Sequence, residues 1–333
     1  MTLKRHDVLG IGNALVDILA PADDDFLLAQ NVLKGAMQLI DEERAEALYA
    51  AMGATVTVSG GSASNTIAGV ASFGGRGALI AKVRNDELGK VFAHDLHAIG
   101  VTFETAAASE GPATGRCFIL VSPDGERTMN TYLGAGQGLG PADIDKAVVD
   151  ASAIVYLEGY LWDPPEAKLA FLKAAEIAHA GDGRVALTLS DAFCVDRYRD
   201  EFLRLVSDGV VDILFANEHE LKSLYQTADI DTAVAALRRN PVLGVVTRSE
   251  QGSLLVSRDE TRAVAACPID RLVDTTGAGD LFAAGFLVGL AQGADDVTCA
   301  RLGALAAAEV IQHLGARPER GLKDLATENG LLG

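Results

Sequence analysis

The chain has 333 residues, enough for one large α/β domain or two smaller ones. Nearly half of them are apolar, so a sizeable core forms, and the formal net charge of -18 argues against a nucleic-acid backbone or an anionic membrane surface as partner. The four cysteines, Cys117, Cys194, Cys267 and Cys299, lie far apart without zinc-ligand spacing and read as thiols of a reducing cytoplasm.

In chain order, residues 7–12 read as a buried strand that follows a short basic start, with no signal peptide or membrane anchor indicated. Residues 14–40 are irregular and mixed. Asp41 caps a helix running to about Met52, with Leu48 and Met52 at helical spacing. A short β-branched run over 55–58 is broken by Gly60-Gly61, and 62–73 reads as a small-residue helix. Residues 78–83 form a strand and 87–99 a helix that stops at Gly100. The runs 116–121 and 127–132 flank Ser122-Pro123-Asp124-Gly125, which is strong turn chemistry and predicts a β-hairpin.

From residue 153 strands (154–157, 185–189, 213–215, 242–247) alternate with helical spacing. That alternation predicts a mainly parallel sheet covered by helices on both faces, closed by apolar helices over 281–291 and 295–313. The apolar stretch 281–290 is too short to span a bilayer. The hairpin and the irregular early segment interrupt the rhythm, and such extra strands commonly form an outlying lid over a site.

The chemistry concentrates in Asp274-Thr275-Thr276-Gly277-Ala278-Gly279-Asp280, which enters an almost wholly apolar helix. The two glycines allow a tight turn that points successive N–H groups at one spot, and the helix adds the positive end of its dipole. Together they form a site for a transferring phosphoryl group. Asp280, on the first turn, is kept ionised by the helix end and accepts the proton of an attacking hydroxyl. A bare Gly-x-Gly-Asp would more simply be a capped helix start; the full stretch favours catalysis. No Gly-Lys-Ser/Thr follows, so this is not a Walker A loop. Gly10-Ile11-Gly12 is not a dinucleotide fingerprint, because Leu15 stands where a third glycine is needed.

This stretch resembles the second signature of the ribokinase-like, or PfkB, carbohydrate kinase family. Gly60-Gly61-Ser62-Ala63-Ser64-Asn65 is similar to the family's amino-terminal Gly-Gly-x-x-x-Asn motif, and Asn217-Glu218-His219-Glu220 to its Asn-x-x-Glu motif. Within the family, the segments around Asn13–Asp17, Leu187–Phe193 and Cys299–Gly303 look most like adenosine kinases. The resemblance implies a three-layer α/β/α sandwich over 1–333 with a small β lid from about 14–40 and 101–134. It implies transfer of the ATP γ-phosphoryl group to a primary hydroxyl, adenosine 5′-OH first. A free sugar such as ribose or fructose, or a non-catalytic nucleotide or sugar sensor, stands behind that.

Residue by residue, the resemblance puts Asp17, Asn13, Gly61, Ser62 and Asn65 on the acceptor sugar, and Arg127 of the hairpin near the phosphates. Tyr160, Leu161 and Phe193 wall a purine. Asn217, Thr247, Gly252, Thr276, Gly277 and Gly279 face ATP, with Ser249 where relatives carry a glycine and Ala304 where they often carry a larger polar residue. Glu220 organises Mg²⁺ through water, although Asn217 with Glu220 is also helix-capping chemistry. Asp274 and Thr276 offer carbonyls to a monovalent cation, K⁺ in many relatives. The implied partners are small molecules, in a cytoplasmic monomer or homodimer.

Overall fold

The computed structural model describes residues 4–332; Met1–Leu3 and Gly333, the ends of the expected single domain, lie outside them. Thirteen strands are found in this span: β1 His6–Ile11, β2 Leu15–Pro21, β3 Met37–Leu39, β4 Val56–Gly60, β5 Gly77–Ile80, β6 Gly115–Val121 and β7 Arg127–Tyr132 in the first half, then β8 Ser152–Glu158, β9 Arg184–Thr188, β10 Ile213–Asn217, β11 Leu243–Thr247, β12 Ser253–Val256 and β13 Thr261–Val264. They form two sheets. The larger has the order β13-β12-β11-β10-β9-β8-β1-β5, parallel except at β12 and β13. The smaller has the order β3-β7-β6-β2-β4 and mixes parallel and antiparallel pairs.

The parallel strands read as continuous apolar runs because both faces are buried. Ile154 and Tyr156 of β8 pack into one core, while Val155 and Leu157 pack into the other. Ile213 and Phe215 of β10 alternate with Leu214 and Ala216 in the same way. The first core is covered by the Ser62–Ser72, Ala278–Ala291 and Asp296–Val310 helices, and the second by the Pro165–Ala180 and Ala192–Ser207 helices. The Ala278–Ala291 helix is apolar all round because it lies between the other two helices of its layer, with Phe286 fully buried.

Most expected elements are present. Asp41 accepts from the Arg44 N–H at 2.8 Å and starts the Glu42–Ala51 helix, and Gly125 closes its turn on the Ser122 carbonyl with φ +84°. The irregular 14–40 segment resolves into β2, the Asp24–Ala29 helix and β3. The smaller sheet also takes in β4, outside the two segments expected to build it. Residues 102 and 108 instead bridge to the edge beside β5, at Ala78 and Arg84. The β12–β13 hairpin was not expected; its strands have four residues each, and Thr261 to Ala263 are exposed, so no amphipathic signal develops.

Candidate active site

A cleft of about 1420 Å³ opens between the two sheets at the carboxyl ends of the parallel strands. Pockets for a single small-molecule ligand are typically roughly 300–1,000 Å³, and this cleft is larger than that range. Asn13, Asp17, Gly61, Ser62, Asn65, Tyr160 and Phe193 line it, as do Asn217, Glu220, Thr247, Gly252 and the whole run Thr276 to Asp280. Arg127 and Asp274 do not.

Gly277 caps the Ala278–Ala291 helix in the left-handed region, φ +79°, and a Cβ there would sit 2.7 Å from Ala316 Cα. Gly279 would point a Cβ into open space, so any side chain would fill the cleft where a phosphate would approach. The Ala278 N–H donates to the Thr275 carbonyl at 3.2 Å, so that cradle amide already has a partner. Asp280, in the first helical turn, accepts from Ser62 Oγ at 2.6 Å and Asn65 Nδ2 at 3.1 Å. Burial pushes Asp280 above the ordinary range, although Ser62, Asn65 and Arg317 all pull it down.

Opposite lies Asp17 on β2. Its carboxylate lies over Gly60, where a Cβ would come within 2.4 Å of Asp17 Oδ2. Next to it, Gly61 takes φ +95°, and a Cβ there would meet the Asn13 carbonyl at 2.5 Å; the two glycines thus serve different ends. Burial pushes Asp17 up to about 6 and Asp280 adds to the rise, while Arg127 and Arg317 oppose it. Asn13 is held from behind by Glu158, whose Oε1 accepts from Asn13 Nδ2 at 2.8 Å and from its N–H at 3.3 Å. The Asn13 Oδ1 is buried without a partner, an acceptor left for a ligand hydroxyl.

On the other arm, Asn217 and Glu220 form a complete capping box. The Asn217 N–H and Nδ2 donate to Glu220 at 3.0 and 2.6 Å, and Glu220 N–H returns to Asn217 Oδ1 at 2.9 Å. Burial pushes Glu220 up to about 7. No group of three His, Cys, Asp or Glu that could hold a metal gathers among the described residues. Glu220, with Asp191 near it, fits Mg²⁺, which keeps waters and relies on substrate phosphates rather than on an all-protein cage. Ser249 takes φ +50°, the backbone conformation a glycine would supply. The turn therefore keeps its shape despite the substitution, with Arg248 N–H on the Gly252 carbonyl at 2.8 Å.

Two expectations change. Arg127 is paired with the Asp274 carboxylate rather than left facing phosphate space, because both groups are almost fully buried and a buried charge requires a partner. Asp274 also accepts from Gly315 N–H at 2.9 Å and from Thr276 N–H and Oγ1 at 2.9 and 2.7 Å. Against the upward pull of burial, these bonds and Arg127 hold it below the ordinary carboxylate range. Its carboxylate is thus fully engaged, and the cation reading rests on its carbonyl alone. Leu161 is 0 % exposed and belongs to the core, so it does not wall the cleft. Tyr160 does, anchored to Ser190 through its N–H at 3.1 Å and its hydroxyl at 3.2 Å. Phe193 is 63 % exposed at the cleft wall, with the Arg197 guanidinium 4.6 Å from its ring centre.

Two buried groups escaped the sequence. Glu158 is 1 % exposed, accepts from Ala63 N–H at 2.8 Å as well as from Asn13, and is pushed up to about 7 by burial. An acid ending an apolar strand run was its only signal. Arg317 reaches Asn65 from a loop near the carboxyl end, and nothing local in Gly315-Ala316-Arg317-Pro318 announces it.

The chain matches the model of the pfkB family carbohydrate kinases over residues 31–320, and it belongs to that family. Its fold is ribokinase-like, and it is a phosphotransferase acting on an alcohol group, in a family of ATP-dependent kinases. It is similar to a structure of adenosine kinase from Sinorhizobium meliloti, at 52% identity and TM-score 0.91 over 98% of this chain and 99% of that one. It is equally similar to a probable sugar kinase protein from Rhizobium etli CFN 42, at 50% identity and TM-score 0.93 over 99% and 100%. Adenosine kinase from Saccharomyces cerevisiae is 28% identical over 328 residues, 92% of this chain and 94% of that protein.

Proposed function

We propose that this kinase transfers the γ-phosphoryl group of ATP to the 5′-hydroxyl of adenosine, giving AMP and ADP. The observation that carries the reading is the Asp280 carboxylate, held by Ser62 and Asn65 at a glycine-rich helix start in the same large cleft as Asp17. In this reading Asp17 and Asn13 take the vicinal hydroxyls of the acceptor, with Gly61, Ser62 and Asn65 beside them. Asp280 accepts the 5′-hydroxyl proton as the oxygen attacks phosphorus, and its raised affinity for protons suits it to that task. The amides of Gly277 and Gly279, with Thr276, take the charge of the transferring group, the Ala278 amide being held by the Thr275 carbonyl. Asn217, Thr247 and Gly252 line the ATP arm.

Glu220 would hold Mg²⁺ through water, and the ion, when bound, neutralises charge on the ATP phosphates. The Asp274 and Thr276 carbonyls would hold K⁺. Arg127 would exchange Asp274 for phosphate as the smaller sheet closes over the cleft as a lid. ATP as donor and four free thiols suit a cytoplasmic reaction.

A sugar acceptor such as ribose or fructose is the second reading, favoured by the likeness to the Rhizobium etli protein and by the polar Glu158–Asn13 pair at the sugar end. Tyr160 and the exposed Phe193 favour a purine, because a planar base stacks on an aromatic wall over a larger face than a sugar does. ADP release measured with adenosine, other nucleosides and free sugars separates the two. Asp280→Asn lowers kcat about 10³-fold with acceptor binding kept, and wild-type activity falls away as the pH drops through the raised Asp280 pKa. Near-normal turnover by the variant refutes the proposal.

A further inference from the structure

We propose that Arg317 is a positioning residue for Asp280, acting through the side chain of Asn65. The inference rests on the phosphotransfer reading of Asp280 and adds a residue outside all three sequence motifs. Arg317 does not line the cleft; it lies behind it. Its Nε donates to Asn65 Oδ1 at 2.9 Å, and the same amide donates from Nδ2 to Asp280 Oδ2 at 3.1 Å. Its Nη2 donates to Ser64 Oγ at 2.9 Å and to the Ser59 carbonyl and Oγ at 3.2 and 3.3 Å. One guanidinium thereby ties β4, the Ser62–Ser72 helix and the carboxyl-terminal loop together behind the reacting carboxylate.

The orientation of an amide decides what it does. A guanidinium carries donors only, so the oxygen of Asn65 must face Arg317. The NH₂ end is then forced toward Asp280, where it supports the carboxylate. Without Arg317 the amide is free to turn over and present its oxygen to Asp280, converting a hydrogen bond into a repulsion. The charge acts in the same sense. Asp280 is faced by Asp17 from β2, by Glu158 and Tyr156 from β8, and by Tyr160 just beyond it. None of these supplies positive charge; Arg317 does. Burial lowers Arg317 to about 10, which still leaves it charged at neutral pH.

The test is steady-state kinetics on Arg317→Gln and Arg317→Lys from pH 5 to 9, with ATP and the acceptor that turns over best, alongside thermal melts. For Arg317→Gln the acid limb of kcat moves up by about one pH unit, and plateau kcat falls about ten-fold with KM for ATP within about two-fold. Arg317→Lys restores the charge but not the planar fork, so its acid limb matches wild type and its kcat falls between the two. A folded Arg317→Gln protein with only a lowered Tm, and wild-type kcat and acid limb, shows a mere clamp and overturns the inference. Should the Gln variant fail to fold, wild-type kcat in Arg317→Lys overturns it instead. Failure of the underlying reading looks different: the wild type then releases no ADP with any acceptor, or Asp280→Asn keeps its turnover.

Discussion

Replacing Glu158 by Gln removes one buried charge while nearly keeping its shape, and the effect on stability has a defined sign. Burial raises Glu158 from the ordinary glutamate value of 4.5 to about 7, so the folded protein holds a proton there that the unfolded chain releases. A raised carboxylate contributes stability that is fully present below about 4.5 and is lost as the pH climbs through about 7. At 1.36 kcal/mol per pH unit the rise corresponds to about 3 kcal/mol. Urea melts of both proteins at intervals between pH 4.5 and 8 read this directly. The glutamine of the Glu158→Gln variant does not titrate, so the variant gains on the wild type by about 3 kcal/mol across that window, whatever constant offset arises from setting its NH₂ group against the Ala63 N–H. Parallel stability curves would show that Glu158 ionises normally and that the Asn13 and Ala63 hydrogen bonds offset its burial in full.

Other variants probe the rest of the cleft. Ser249→Gly relieves a left-handed serine and raises stability by about 0.5–1 kcal/mol in thermal or urea melts, with KM for ATP unchanged or improved. Gly252→Ala places a Cβ about 2.1 Å from the Val264 carbonyl at φ +82°, and costs about 3 kcal/mol together with a higher KM for ATP. Arg127→Met leaves Asp274 buried with three neutral donors; stability falls by about 3 kcal/mol and kcat/KM for ATP drops with it, as seen by melts and ADP release.

What was legible in the sequence was local. Gly60-Gly61 before Asn65, Asn217 before Glu220, and Gly277 to Asp280 each do their work within one turn, so spacing alone exposes them. The parallel sheet was readable because its strands are apolar on both faces. What escaped depends on partners far along the chain. Glu158 meets Ala63 across 95 residues, and Arg317 meets Asn65 across 252. The burial that raises the Asp280 pKa was out of reach for the same reason: its helix end is local, whereas the groups that bury it are not. Arg127 was seen as a hairpin cation but not as the partner of an aspartate 147 residues away. Leu161 and Tyr160 are neighbours after one strand, and only packing sends one inward and the other to the cleft.

The order in which strands are paired has a consequence for synthesis. β1 sits between β5 and β8, and β2 between β4 and β6, so each of the first two strands made gains its second partner only about a hundred residues or more later, where Leu15 meets Gly115 and His6 meets Ser152. Ser62 and Asn65 wait longer still, because Asp280 lies 218 and 215 residues downstream. A nascent chain leaving the ribosome therefore carries β2, β4 and the Ser62–Ser72 helix long before Asp280 is made. Premature termination ahead of the Ala278–Ala291 helix would leave a fragment with an uncovered apolar sheet face, a natural target for chaperones and proteases rather than a weak enzyme.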